Sequence, residues 1–297
     1  MKIPEQSFLD RRSNGVPVSE YLDRQLLIQF YHPQFGPDIL LKKILVVGIG
    51  GNGSHLALAL TRMGFAEVAL VDKDTVSPSN LTRQVLYTKS DVGRLKTDAA
   101  ADFLRGQSIC SEIKVHTMDV LVERQRFLNL VRQADFVFSV VDQLNVTFFV
   151  TAACLKAMKP MCSGGTFVVG GFGTTAVMQR PEGQPCLACN LLSKEPPADW
   201  IRFYSTFSDD RPEETGELDL SKVAAYDGVI KLPTRDPSTY ITASTGSNLM
   251  IALMINWMMG NYVNERLIFN LLNFYFDKDL VALNPHCPLC SHENNGE

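Results

Sequence analysis

Residues 43–72 read KILVVGIGGNGSHLALALTRMGFAEVALVD. KILVVG (43–48) is a continuous apolar run, the pattern of a strand covered on both faces. SHLALALTRMG (54–64) carries apolar residues at helical spacing and stops at Gly64, and EVALVD (67–72) repeats the buried-strand pattern. Strand, glycine turn, helix and strand make a βαβ unit. Gly48, Gly50 and Gly53 give G-x-G-x-x-G at the turn, where close backbone approach and the helix N-terminal dipole suit a phosphate. Gly51 fills a slot that a dinucleotide loop does not require. Asp72 ends the second strand about twenty residues on, where a carboxylate can accept hydrogen bonds from ribose hydroxyls. NAD fits this much, and the competing reading is that the glycines only permit tight helix–strand packing.

Outward from this unit the alternation continues. LKTDAAADFLRG (95–106) reads as a helix, EIKVHTMDV (112–120) as a strand, ERQRFLNLVRQ (123–133) as a helix, ADFVFSVVD (134–142) as a strand ending in an acid, and NVTFFVTAACLKAM (145–158) as a helix. Such alternation implies a Rossmann-like α/β fold, a mostly parallel sheet with helices on both faces. After PMCSGG, TFVVGGFG (166–173) and TTAVMQR (174–180) read as two antiparallel strands that extend it. Before it lies an arm with one helical segment, SEYLDRQLLIQF (19–30). Residues 191–240 are rich in Pro, Asp and Glu and read as a long excursion. The apolar run 249–259 contains Asn256 and is too short to span a bilayer, so it reads as a buried helix. The expected division is an arm at 1–42, a nucleotide-binding core at 43–180 and a cysteine-knuckle and crossover region at 181–297.

DKDTVSPSNLTRQ (72–84) places Asn80, Arg83 and Gln84 in a turn-rich segment beside the expected phosphate position, and VGRLK sets Lys96 at the start of the next helix. Two cations and two amides suit a triphosphate, and a dehydrogenase has no need of them. With GIGGNG, SNLTRQ, VGRLK, the acid Asp142 and DRQLL around Arg24, the chain resembles the ThiF/MoeB family, the adenylating core shared with ubiquitin-activating enzymes. The resemblance implies a homodimer that binds MgATP and adenylates the C-terminal carboxylate of a small ubiquitin-like or sulfur-carrier protein ending in Gly-Gly. It implies that Asp72 holds the ribose, that Asn80, Arg83, Gln84 and Lys96 contact the phosphates, that Asp142 positions Mg²⁺, and that Arg24 reaches the ATP of the partner subunit. The family often has Asp-Asn where this chain has Asp142-Gln143, so only the acid's role is carried over. Other branches adenylate a ribosomal peptide or a tRNA base; an NAD-dependent oxidoreductase and a non-catalytic scaffold are the readings from other classes.

Cys186 and Cys189 in PCLAC, and Cys287 and Cys290 in HCPLC, form two C-x-x-C knuckles whose spacing suits one tetrathiolate zinc, with His286 and His292 beside the second. A redox pair does not explain why there are two knuckles, and neither is expected to open a helix after a buried strand. Cys110, Cys154 and Cys162 read as small buried residues. The relatives that form thioesters do so from a cysteine in the crossover after the first knuckle. Here 191–285 contain none, leaving Cys162 and Cys110 as the only substitutes. Of 297 residues, 45% are hydrophobic and the net charge is −4, so nucleic acid and anionic membranes are poor partners. MKIPEQSFLDRRSNG lacks the apolar core of a signal peptide, and an odd count of seven cysteines argues against a disulfide framework; a cytoplasmic protein is expected.

Overall fold

The computed structural model describes residues 7–13, 15–167, 173–179, 185–191, 238–261, 265–271, 274–284, 287 and 289–290. Residues 192–237 of the excursion, and His286 and His292, lie outside the described residues. The arm opens with a hairpin, β1 (Arg12–Ser13) and β2 (Val16–Pro17), followed by the single turns α1 (Val18–Tyr21), α2 (Asp23–Leu26), α3 (Ile28–Tyr31) and α4 (Pro37–Leu40). One helix over 19–30 does not form. Leu22 is fully buried, whereas Leu27 and Phe30 are 60% and 84% exposed. The apolar positions therefore share no buried face, and without one a short helix has little to hold it straight.

The body is β3 (Lys43–Val47), α5 (Gly51–Met63), β4 (Glu67–Asp72), α6 (Lys96–Gln107), β5 (Glu112–Thr117), α7 (Arg124–Gln133), β6 (Phe136–Ser139) and α8 (Leu144–Lys156). It continues through β7 (Met161–Phe167), β8 (Gly173–Gln179), α9 (Leu187–Leu191), α10 (Tyr240–Met258), β9 (Glu265–Asn270) and β10 (Tyr275–Leu280). The sheet order is β10-β9-β8-β7-β6-β3-β4-β5. From β5 to β7 neighbouring strands are parallel, and from β7 outward to β10 they are antiparallel. This is the expected α/β architecture. Alternate residues go to opposite faces: Val47 and Val137 join a core with α7, α8 and α9, while Val46 and Phe138 join a core with the arm, α5, α6 and α10. The chain leaves β3 for β4 and β5, then returns to place β6 on the other side of β3. That reversal opens a crevice at the carboxyl ends of β3 and β6, the usual ligand position in such sheets.

Several boundaries differ from the sequence reading, α5 already opening at Gly51 and β5 ending at Thr117. β6 ends at Ser139, so Asp142 stands on the loop beyond it. β7 begins at Met161, because MCS (161–163) pairs with β6. α10 begins at Tyr240, where the side chain of Thr239 accepts from Thr242 N at 3.2 Å and that of Thr242 accepts from Thr239 N at 2.9 Å, closing a capping box. The strands β9 and β10 were not anticipated, since edge strand β10 exposes Tyr275, Phe276 and Leu280 alike and so shows no in–out alternation.

α10 crosses the first turn of α5 at close range. Asn52 Nδ2 donates to Ala243 O at 3.3 Å and Ser247 Oγ donates to Asn52 O at 2.9 Å. A β-carbon at Gly246 would stand 2.7 Å from Asn52 Nδ2 and well inside contact with Thr174 Oγ1 of β8. Gly246→Ala would gain at most about 1 kcal/mol of helix propensity and incur about 1–3 kcal/mol of overpacking. The steric term wins. The variant is expected to unfold at lower denaturant concentration with an unchanged slope, and an equal or higher midpoint would show that the crossing is loose.

Candidate active site

The phosphate-type loop is built by backbone contacts. Gly48 has φ of 90°, and a β-carbon there would meet Val140 O, just beyond β6, at 3.0 Å. At Gly53 a β-carbon would collide with Gly48 O outright. These two glycines are demanded by packing. Gly50 and Gly51 are not: at Gly50 the nearest atom to an added β-carbon is Gln84 Nε2 at 3.9 Å, and at Gly51 the nearest are Ala243 Cβ at 3.5 Å and Arg83 Cδ at 3.6 Å, all ordinary contacts. Between them Ile49 is held at both ends, its N–H donating to Asp72 Oδ2 at 2.6 Å and its carbonyl accepting from Tyr87 OH at 2.9 Å. Burial pushes the Tyr87 phenol far up, so it stays a donor. α5 starts at Gly51 with no side-chain cap. Its first N–H groups and its positive dipole end therefore face the crevice.

After β4 the chain folds back on itself. Thr75 bridges Leu95, Val76 N donates to Arg94 O at 2.9 Å, and Lys96 N donates to Asp74 O at 2.9 Å. This pins Lys96 at the first residue of α6. Its ammonium is buried, 3.0 Å from Asp74 Oδ2 and 3.9 Å from Asp72 Oδ2, so the burial of one cation is offset by two carboxylates. Asn80 Oδ1 accepts from Ser77 N at 3.0 Å and caps the turn 78–82. Arg83 Nη1 donates to Ser79 O at 3.1 Å while its Cδ lies over Gly51. Gln84 is buried close beside Gly50, its Oε1 without a partner among the described residues.

The loop glycines, Asp72, Asn80, Arg83, Gln84 and Lys96 thus gather at the crevice, and Asp142 stands exposed on the loop that leaves β6 there. Arg24 is elsewhere. Its side chain is 90% exposed, with Asp23 at 4.0 Å. Tyr21 OH donates to Arg62 O at 2.6 Å and Gln25 Nε2 to Met63 O at 3.2 Å, which fastens the arm to the last turn of α5. That turn lies ~18 Å along the helix axis from Gly51 at the usual rise per residue. Two contacts escape sequence reading. His55 Nε2 lies 3.1 Å from Arg83 O with its ring against Tyr240, and Asn52 reaches α10. An amide set between loop glycines, where small apolar residues pack well, was the available signal for Asn52.

Cys186, Cys189, Cys287 and Cys290 come together at the end of β8, their Sγ atoms all within 4.8 Å of one another. Cys186–Cys287 is 3.5 Å and Cys189–Cys290 is 3.3 Å. A tetrahedral zinc with Zn–S of about 2.3 Å needs sulfurs about 3.8 Å apart, so a small expansion of the cluster accommodates the ion. Hydrogen bonding from Cys186 and its neighbours holds the Cys189 thiol far below its usual range, while burial raises Cys186. At the other three thiols burial disfavours the thiolate. Burial raises Cys154 and Cys162 strongly, and raises Cys110, beside Gly64 at the far end of α5, to about 11. Metal analysis is expected to find about one zinc per chain, and Cys189→Ser or Cys290→Ser should lose it together with several kcal/mol of stability. A metal-free chain that ignores chelators would refute the site.

A protein-family profile, that of the ThiF family, matches residues 22–289. The adenylyltransferase and sulfurtransferase MOCS3 of Culex quinquefasciatus is 31% identical over 184 residues, which are 62% of this chain and 41% of that protein, so the chain spans well under two thirds of this relative's length. The sulfur carrier protein adenylyltransferase of Thermus thermophilus is 28% identical over 284 residues, 93% of each chain. The crystal structure of Escherichia coli MccB with MccA-N7isoAsn has the same fold, with a TM-score of 0.68 at 18% identity over 98% of this chain and 80% of that one. With the profile covering nearly the whole body and the loop, cations and acids placed at one crevice, the chain belongs to the ThiF family.

Proposed function

We propose that the chain is an ATP-dependent adenylyltransferase that activates the C-terminal carboxylate of a small ubiquitin-like or sulfur-carrier protein. One observation carries this reading: Gly50 and Gly51 lack side chains where the protein itself has room for a β-carbon, so the clearance serves something outside it. A triphosphate laid on the uncapped start of α5 takes that clearance, under Arg83 and within reach of Lys96. The name of one relative, the sulfur carrier protein adenylyltransferase of Thermus thermophilus, supports the substrate class.

The carboxylate attacks the α-phosphorus, a carboxyl–phosphate bond forms, and the bond from the α-phosphorus to the bridging oxygen breaks to release pyrophosphate. A peptide carboxylate is ionised near neutral pH, so no base is needed. The task is to hold anions together. Arg83 lies over the loop, Asn80 and Gln84 offer their amides, and Lys96 exchanges part of its pairing with Asp74 for phosphate oxygens. Asp72 keeps the loop in place through Ile49 and presents its remaining lone pairs to the ribose. Mg²⁺ is commonly held by one or two carboxylates plus phosphate oxygens; Asp142, exposed on the loop beyond β6, would be such a carboxylate, and the ion would supply further charge neutralisation. A zinc held by the four thiolates would have no open position and so would be structural. With Cys162 sealed and Cys110 remote, the product leaves as an adenylate without a covalent enzyme adduct.

Pyrophosphate exchange with candidate partners ending in Gly-Gly, with a short ribosomal peptide as the competing substrate, tests the reading. Exchange with the peptide alone would transfer the activity to that class, and tight NAD binding without ATP binding would end it. Gly51→Ala should leave folding stability within about 0.5 kcal/mol and weaken ATP use about tenfold or more, whereas Gly53→Ala should fail on stability. Equal behaviour of the two would return all four glycines to packing.

Arg24, too far to serve its own crevice, completes the site of a second protomer in a two-fold dimer. Arg24→Ala and Asp142→Ala should each be inactive, and mixing them should return ~1/4 of the activity, because ~1/2 of dimers are mixed and each holds one intact site. No recovery after verified subunit exchange would assign Arg24 to the arm's surface.

A further inference from the structure

We infer that His55 is a positioning residue for phosphate binding that acts through Arg83 and is itself seated by Tyr240. The inference rests on the ATP reading and adds residues that reading does not use. His55 is the fifth residue of α5, two places beyond Gly53. Its Nε2 is 3.1 Å from the carbonyl oxygen of Arg83, and as the Nε2–H tautomer it donates there. Its ring meets Tyr240 edge-on, with centroids 4.9 Å apart and planes at 79°. Burial lowers its pKa, which keeps the imidazole neutral against Arg83. One residue earlier, Ser54 Oγ accepts from Val85 N at 3.2 Å. The start of α5 thus grips the segment 83–85 at two points.

The grip matters because Arg83 sits where the turn 78–82 ends and, among the described residues, its side chain is tethered by a single hydrogen bond, to Ser79 O. Fixing the carbonyl fixes the root of the side chain, and with it the guanidinium above Gly51. A general-base role for His55 does not fit: Nε2 is taken by a carbonyl, Tyr240 covers the ring, and an ionised carboxylate needs no base. Tyr240 opens α10, so the same ring contact makes the seating of that helix part of the phosphate grip.

MgATP affinity by calorimetry, on the full chain, tests this without knowledge of the carrier. His55→Phe keeps a ring against Tyr240 and removes the donor; it should weaken MgATP binding about tenfold with an unchanged thermal midpoint. His55→Gln carries an N–H where Nε2 stood and should bind within about threefold of wild type. On an Arg83→Ala background, His55→Phe should add less than about twofold, because a residue acting through Arg83 has nothing left to position. Additive losses, no rescue by Gln, or a loss that tracks a lower midpoint would make His55 a packing residue and overturn the inference while leaving the ATP reading intact. A wild-type chain that fails to bind MgATP would overturn both.

Discussion

The backbone of Gly53 lies against the carbonyl of Gly48 with no space for a β-carbon, and the site depends on that approach. It bends the chain from β3 straight into α5 and so sets the uncapped helix start directly over the sheet edge. Ile49, caught between, is the loop's anchor: its N–H goes to Asp72 and its carbonyl to Tyr87. Asp72 therefore has a structural duty in the loop besides any contact with a sugar. Since an unpaired buried amide costs about 1–3 kcal/mol, losing this carboxylate would loosen the loop before any ligand arrived.

Charge is stored at the crevice in paired form. Lys96 is buried beside Asp74 and Asp72, and the small fold-back at Thr75 and Leu95 holds all three in register. Burying an ammonium without a counter-charge is costly, whereas one paired with carboxylates is compensated and can be drawn toward an incoming anion. Arg83 is held differently: its guanidinium donates to Ser79 O, and its own carbonyl oxygen lies 3.1 Å from His55 Nε2. The two cations thus reach the same place from separate supports, one on α6 and one on a short turn.

The sheet also separates two kinds of reinforcement. On one face α10 locks into α5 through Asn52, Ser247 and Gly246, tying a late part of the chain to the loop. On the other, the four cysteines join the end of β8 to the segment after β10 within the apolar core of α7, α8 and α9. Both devices bind the C-terminal region to the β3–β6 half of the sheet, at sites on opposite faces.

Local pattern was enough for much of this protein. The β3–α5–β4 unit was legible because an apolar run, a glycine turn and a helical period are short-range signals, and the parallel alternation up to α8 followed in the same way. The cysteine tetrad was legible because thiolate spacing is itself the metal's requirement, and the acids and cations of the crevice could be picked out by type and order. Tertiary structure decided the rest. α10 is packed on several sides at once, so its start carries no amphipathic period, and only its fit against Asn52 and Thr174 shows why Gly246 is there. The broken arm reflects Leu22 turning inward while Leu27 and Phe30 stay out, a burial choice that residue spacing cannot express. The link from Tyr240 through His55 to Arg83 joins three distant parts of the chain, and which glycines answer to packing and which to clearance depends on what surrounds each α-carbon. Those are properties of contacts between segments far apart in sequence, which exist only once the sheet has brought them together.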